Sequence, residues 1–287
     1  MGSTVNLEAS YAFCRRIART RARNFYYSFL LLSRDQRDAM CSIYAFMRYC
    51  DDISEGAGAS REAIDRWRSD LDRALAGQYG DNPLWPAFHA TVRRYQIPCQ
   101  YFHEMISGVS SDIEPRRIQT FDELYRYCYQ VASVVGLTII HIFGFESQEA
   151  LALAEKCGIA FQLTNILRDV REDAENQRVY LPAEDIRRFG ADLAQRNESF
   201  TRLLGFEAER ARRYYDESRP LVELVHAGSR ASLWALIEIY RRLLTRIERS
   251  NFDVLSRRIR VPAWEKIGIL IEARLRGYRP QRLSPRP

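Results

Sequence analysis

The stretch Phe161-Gln-Leu-Thr-Asn-Ile-Leu-Arg-Asp-Val-Arg-Glu-Asp173 constrains the fold more than any other. It lacks Gly and Pro, and its apolar residues recur at helical spacing, which predicts a helix. Gln162, Asn165, Asp169 and Asp173 follow one another at steps of three, four and four. Each step is close to a turn of ~3.6 residues, so the four share one face. Leu163, Ile166, Leu167 and Val170 point elsewhere and can meet a core. The product is a carboxylate and amide stripe in an otherwise apolar setting.

Two carboxylates at i and i+4 repel each other, and a solvated face is the ordinary reading of such a pair. A second acidic stripe changes the balance. In Tyr-Ala-Phe-Met-Arg-Tyr-Cys-Asp-Asp-Ile-Ser-Glu, residues 44–55, helical spacing aligns Tyr44, Arg48, Asp51 or Asp52, and Glu55. Hard divalent cations take oxygen ligands, and Mg2+ is typically held by one or two carboxylates together with substrate phosphates. Two facing acidic helices would hold such ions between them and present them to a diphosphate. Ions and arginines could then neutralise a leaving group as its charge develops, while an apolar cavity lined by rings such as Phe25, Tyr26, Phe29 and Tyr44 shelters a carbocation.

A chain of 287 residues with 46% hydrophobic content can bury a sizeable core. No run approaches the ~20 apolar residues of a membrane span. The best, residues 131–145, is interrupted by Ser133, Thr138 and His141 and reads as a buried helix. The N-terminus lacks a signal-peptide layout. The net charge is +6, and only Lys156 and Lys266 among the 43 basic residues are lysines. Without a groove-reading motif or a dense basic run, this excess argues against nucleic acid and points to an anionic substrate or lipid. The six cysteines form no C-x-x-C pair and read as small buried hydrophobes of a reducing, cytoplasmic setting.

Along the chain, residues 8–23 form a basic amphipathic helix, followed by an aromatic run at 25–33. Residues 35–53 form the helix of the first acidic stripe. Ser60 caps a helix to about residue 76. Asn82-Pro83 opens one to about residue 95, and Pro98 opens another to 107. Residues 112–120 and 176–182 are polar loops between which lie helices over 121–143 and, capped by Ser147, up to Asp173. Further helices cover 185–189, 192–218, 229–251 and 262–276, with Gly190 and Pro220 as breaks. No strand is expected. Helices with short connections indicate one all-α domain over 1–276 and an Arg/Pro-rich disordered tail at 277–287.

Three blocks carry a resemblance. Gln162-Leu-Thr-Asn-Ile-Leu-Arg-Asp-Val-Arg-Glu-Asp173 with Arg178-Val-Tyr-Leu-Pro182, Tyr44-Ala-Phe-Met-Arg-Tyr-Cys-Asp-Asp-Ile-Ser-Glu55, and Tyr127-Cys-Tyr-Gln-Val-Ala-Ser-Val-Val-Gly136 appear in an order that resembles the squalene/phytoene synthases, the head-to-head prenyl transferases. The likeness runs from about residue 8 to 273. It implies an all-α isoprenoid-synthase bundle around a central cavity. By position it implies Mg2+, with Mn2+ as a substitute, on Asp51, Asp52, Glu55, Asp169 and Asp173, with Gln162 and Asn165 beside them. Arg48, Arg168 and Tyr180 match positions near the diphosphates, and Tyr44 lies in the first motif. Arg258, or alternatively Arg257, matches a C-terminal diphosphate-binding arginine. Arg21 or Arg23 would compensate for Ala22 and Asn24, where some relatives have serines that contact phosphate. Glu55 departs from the usual Asp and carries its oxygens about one bond further out.

The resemblance implies that two allylic prenyl diphosphates combine into a cyclopropylcarbinyl diphosphate. Some members stop there, and others ionise it again, with or without reduction by NADPH. Residues 26–32 and 140–145 look more like the bacterial hopanoid-pathway presqualene diphosphate synthases, which favours farnesyl diphosphate, with NADPH needed only if the product is squalene. A phytoene synthase using geranylgeranyl diphosphate is the alternative, and a non-catalytic subunit the third reading. A lipid product implies peripheral membrane contact, through the helix at 8–23 and the Arg-Pro tail.

Overall fold

A computed structural model describes residues 6–22, 25–55 and 58–276, with Phe25 and Glu55 described by backbone alone. The tail expected at 277–287, and Arg23 and Asn24, lie outside the described residues. The helices in chain order are α1 (Leu7–Arg21), α2 (Phe25–Phe29), α3 (Arg34–Glu55), α4 (Arg61–Leu75), α5 (Trp85–Arg94), α6 (Gln100–Ser110), α7 (Phe121–Cys128) and α8 (Val134–Phe143). They continue as α9 (Glu149–Glu175), α10 (Ala183–Phe189), α11 (Glu198–Glu217), α12 (Leu221–Leu224), α13 (Ala227–Arg249) and α14 (Ala263–Leu275).

Side-chain caps set several starts. Asn6 Oδ1 accepts from the Ala9 amide at 3.0 Å, Ser60 Oγ from Ala63 at 3.2 Å and Asn197 Oδ1 from Phe200 at 2.9 Å. Each satisfies an amide that the first helical turn leaves without a partner. The Asn197 cap starts α11 six residues later than the polar run from Asp192 suggested. The Ser147 hydroxyl accepts from the Glu149 amide, and Gln148 occupies the cap position of α9 without a side-chain bond. Gly190, at φ +60°, ends α10 in the left-handed region that favours glycine.

Two features depart from the helix-only expectation. Arg116–Arg117 (β1) and Arg178–Val179 (β2), inside the two polar loops, pair as parallel strands. Tyr129–Ser133, between α7 and α8, is a π turn. Two glycines clasp it. A Cβ on Gly108 of α6 would lie 2.9 Å from Gln130 Cβ, and one on Gly158 of α9 only 2.5 Å from Ser133 Cα. The π turn therefore rests directly on the backbones of its neighbours.

The centre of the bundle is α9, which packs against α7, α8, α11, α12, α13 and the π turn. Its apolar residues Leu163, Ile166, Leu167 and Val170 are buried as their spacing implied. Each such side chain contributes about 1.5–3 kcal/mol. Residues 131–145 are the π turn and α8, buried on nearly every side, and no helix among the described residues is long and apolar enough to cross a membrane. Five of the six cysteines are buried, but Cys99 is exposed.

Candidate active site

A cavity of 360 Å³ opens where α3, α9 and the β1–β2 region converge. Asp51 of α3 and Gln162, Asn165, Asp169 and Asp173 of α9 all line it, so the two acidic stripes meet across one space. Asp52 is exposed at its edge and bonded by Arg48, whose Nη1 is 3.8 Å from Asp51. Glu55, expected as a metal ligand, and Phe25, expected in the wall, have side chains outside what is described.

Asp169 is the most heavily bonded acid. Arg168 grips it side-on through the Nε–Nη2 edge of its guanidinium, Nε donating at 2.8 Å, and Arg258 Nη2 approaches it at 3.0 Å while Nη1 reaches Glu172 at 2.6 Å. The structure thus brings Arg258, rather than Arg257, to the acidic helix. Asp173 forms no ion pair among the described residues. Burial first, then the charges of Asp169 and Glu172, push its carboxyl up to about 8. Beside them, Asn165 Oδ1 is buried without a hydrogen-bond partner among the described residues. An unmatched carbonyl oxygen beside the carboxylates of Asp169 and Asp173 offers oxygen donors of the kind a hard cation takes. No three acid, His or Cys side chains of the described residues converge tightly enough to enclose an ion alone.

Tyr180 lines the cavity with a partner that the sequence did not reveal. Its hydroxyl donates to Asp112 Oδ1 at 2.9 Å, and Tyr127 donates to Oδ2 of the same carboxylate at 2.8 Å. The two rings stack with centroids 4.7 Å apart. Arg178 Nη2 donates to the Asp112 carbonyl at 2.7 Å, and the Arg116 guanidinium sits 4.8 Å over the Tyr127 ring. Burial raises the Asp112 carboxyl above its usual range despite these bonds. The β1–β2 pairing brings the stretches around residues 112–117 and 178–180 together, and Tyr127 of α7 completes the group. Tyr127 and Arg178 stand within recognisable motifs, but Asp112 sits in an unremarkable polar loop.

The deeper wall is apolar. The lining along α9 spans about 28 Å from Asp173 back to Ala154, at 1.5 Å per residue, and its apolar end is Phe161, Gly158, Cys157 and Ala154. Phe161 stacks on Tyr240 of α13 at 4.2 Å within it. Tyr240, also unforeseen, is buried between Arg168 and Asn165.

Other expected residues lie apart from this cavity. Tyr44 and Phe29 face a small adjoining void, where burial raises the Tyr44 phenol to about 12. Tyr26 accepts from Arg19 Nε at 2.9 Å and packs edge-on to Phe29, so its hydroxyl is spent at the surface. Arg21 is exposed at the end of α1 and close enough to Tyr44 to act on it electrostatically. The aromatic run 25–33 has no helical direction in sequence, and in the fold α2 packs against α13 and α14, with the Tyr27 ring 5.2 Å from Lys266 Nζ.

Residues 18–265 match the model of a family described as squalene/phytoene synthase. A phytoene synthase of Arthrospira platensis is 36% identical over 293 residues, which cover 93% of each chain. A 15-cis-phytoene synthase of Synechococcus elongatus is 36% identical over 296 residues, 95% of this chain and 94% of that one. Among solved structures, a dehydrosqualene synthase in complex with ligand superposes with a TM-score of 0.88 at 26% identity, over 94% of this chain and 97% of that one. A squalene synthase, HpnC, from Alicyclobacillus acidocaldarius superposes with a TM-score of 0.80 at 28% identity, over 87% and 97%.

Proposed function

The chain belongs to the squalene/phytoene synthase family, a prenyl transferase family of all-α fold, and from that membership we propose that it condenses two geranylgeranyl diphosphates head to head to phytoene. The observation that carries the choice of substrate is the 36% identity, over 93–95% of the chain, to two phytoene synthases. The sequence motifs alone favoured farnesyl diphosphate, and whole-length similarity moves the preference to the longer substrate. The backbone match to a dehydrosqualene synthase, at a TM-score of 0.88, keeps the farnesyl reading as the second.

Asp51, Asp52, Asp169 and Asp173, with the oxygens of Asn165 and Gln162, are the groups that would hold Mg2+, or Mn2+ in its place, and the ions would supply neutralising charge to the departing diphosphate. Arg48, Arg168 and Arg258 orient the diphosphates through charge-assisted bonds. When the carbon–oxygen bond of one substrate breaks, the electron pair leaves with its diphosphate. The allylic cation left behind is attacked by the double bond of the other substrate, and loss of a proton closes the cyclopropane. The second diphosphate then ionises, the skeleton rearranges, and loss of a further proton gives phytoene without reduction, so NADPH is not consumed.

The apolar wall keeps water from both cations. The faces of Phe161 and Tyr240 offer stabilising electron density. Tyr127 and Tyr180, whose hydroxyl protons are both donated to Asp112, are fixed in place and carry no free proton donor into the cavity.

Product analysis tests the proposal. The purified protein is incubated with Mg2+ and either geranylgeranyl or farnesyl diphosphate, with and without NADPH. Phytoene from the longer substrate, independent of NADPH, is expected. Presqualene diphosphate or squalene from the shorter one alone would overturn it.

A further inference from the structure

One face of α14 has no partner. Trp264, Ile267, Ile271 and Leu275 are 71%, 50%, 56% and 80% exposed, while Lys266, Ile269 and Ala273 are buried on the opposite side. The four follow steps of three, four and four, so they form one stripe. Gly268 lies within it, with open space where a Cβ would be. Helix α14 packs against α2, and Leu30, just past the end of α2, is 38% exposed. Surface hydrophobes are usually scattered singly, and a contiguous stripe headed by a tryptophan is not.

We infer that this stripe docks the protein on the surface of an anionic bilayer. The charge around it is complementary to such a surface. Glu265, next to Trp264, forms one wall of a groove of 630 Å³ between α13 and the segment leading into α14. In that groove Glu265 and Glu238 pair with Arg242 and Arg246, and Arg258 is held by Asp169 and Glu172, which leaves the positive balance to exposed Arg249, Arg257 and Arg260. Arg274 and Arg276 close the helix, and residues 277–287 add three arginines and no acid. An amphipathic helix lying in the interface plane combines these two properties, with apolar side chains among the acyl chains and arginines at the phosphates. Tryptophan is favoured at that level because its ring is apolar and its N–H is polar.

A second copy of the chain fits less well. The stripe is a strip about 17 Å long and about 10 Å wide, well short of the ~800 Å² that each partner of a stable interface buries. Helix α1, expected from its basic amphipathic sequence to make the membrane contact, is less suited. Leu7 is its one large exposed hydrophobe, and Arg15 is tied to Glu8 and Asp38. The docking surface is independent of the substrate, so it stands or falls separately from the choice between farnesyl and geranylgeranyl diphosphate.

The full chain is sedimented with vesicles of phosphatidylglycerol and phosphatidylcholine, and with pure phosphatidylcholine. The expected result is preferential binding to the anionic vesicles, weakened by salt, and reduced about tenfold or more in Ile267→Glu/Ile271→Glu with unchanged circular dichroism. Trp264 supplies a second readout, since Trp67 and Trp85 are buried and Trp234, half-buried under Arg276, is unchanged in the variant that removes Trp264. Lipids brominated on the acyl chain should quench wild-type fluorescence and lose most of that effect in Trp264→Phe. Vesicle binding unchanged in the double Glu variant overturns the proposal. So does protein that stays in the supernatant while forming a dimer that the same substitutions dissolve, which would assign the stripe to self-association.

Discussion

The protein builds two arginine–carboxylate clusters from the same chemistry and uses them differently. In one, Arg210 of α11 bonds Asp185 of α10 at 3.0 Å and Glu207 at 2.8 Å. All three side chains are at most 10% exposed, and the guanidinium is covered by the Phe121 and Phe206 rings at 4.0 and 4.8 Å. In the other, Arg168 and Arg258 hold Asp169 at the mouth of the cavity, beside Asp173 without an ion pair and the unmatched oxygen of Asn165. The first cluster is closed on every side and can only hold α10 to α11. The second is open toward the space where a diphosphate would arrive. Enclosure, not composition, separates an ion cluster that serves stability from one placed for chemistry.

The largest effects should separate the two most sharply. Asp169→Ala combined with Asp52→Ala is expected to abolish turnover while helical content is unchanged, and Asp169→Asn alone to lower kcat by about 10²–10³-fold. Turnover retained in the double variant would remove the metal assignment, as would activity that survives chelation and does not respond to restored Mg2+. In the enclosed cluster, Arg210→Ala strands two buried carboxylates and should cost about 3–5 kcal/mol of stability, read from denaturant unfolding. Unfolding unchanged from wild type would show that the cluster is not structural.

Smaller effects sharpen the contrast. Burial raises the Glu207 carboxyl from its ordinary 4.5 to about 7, against the pull of Arg210. The folded chain therefore binds more protons than the unfolded chain between those values, and stability should fall as pH rises from 4.5 to 7, by about 1–3 kcal/mol. Glu207→Gln should flatten that slope in a thermal series across the window. Asp112→Asn weakens the bonds from Tyr127 and Tyr180, worth about 1–2 kcal/mol, and should lower kcat about tenfold with a smaller change in KM. Least of all, Arg258→Gln should raise KM about fivefold, since Arg168 still holds Asp169, with no change in unfolding.

The helical stripes were legible because a period of 3.6 residues is local information. Ser60 and Gly190 mark boundaries by a local bond or local backbone freedom. Asp112 was not legible, since its partners Tyr127 and Tyr180 are joined to it only by the pairing of two-residue strands too short to show alternation. The π turn was hidden for a similar reason, as residues 129–133 read as ordinary helix and only the neighbouring backbones show otherwise. Tyr26 and Phe29 misled because an aromatic run announces burial without saying against what. Arg210 passed unnoticed in a run of alternating charges, where nothing marks the one arginine that two rings enclose.

The clasp of Gly108 and Gly158 on the π turn makes the width of the cavity a matter of main chain. Val131 and Ala132, which stand in its wall, are carried on a segment that cannot be moved aside by trading one side chain for another. Adding a single methyl at Gly158 would force two helices apart. The breadth of the cavity beside the π turn is thus set by backbone, while side chains such as Phe161 and Tyr240 set how far it extends.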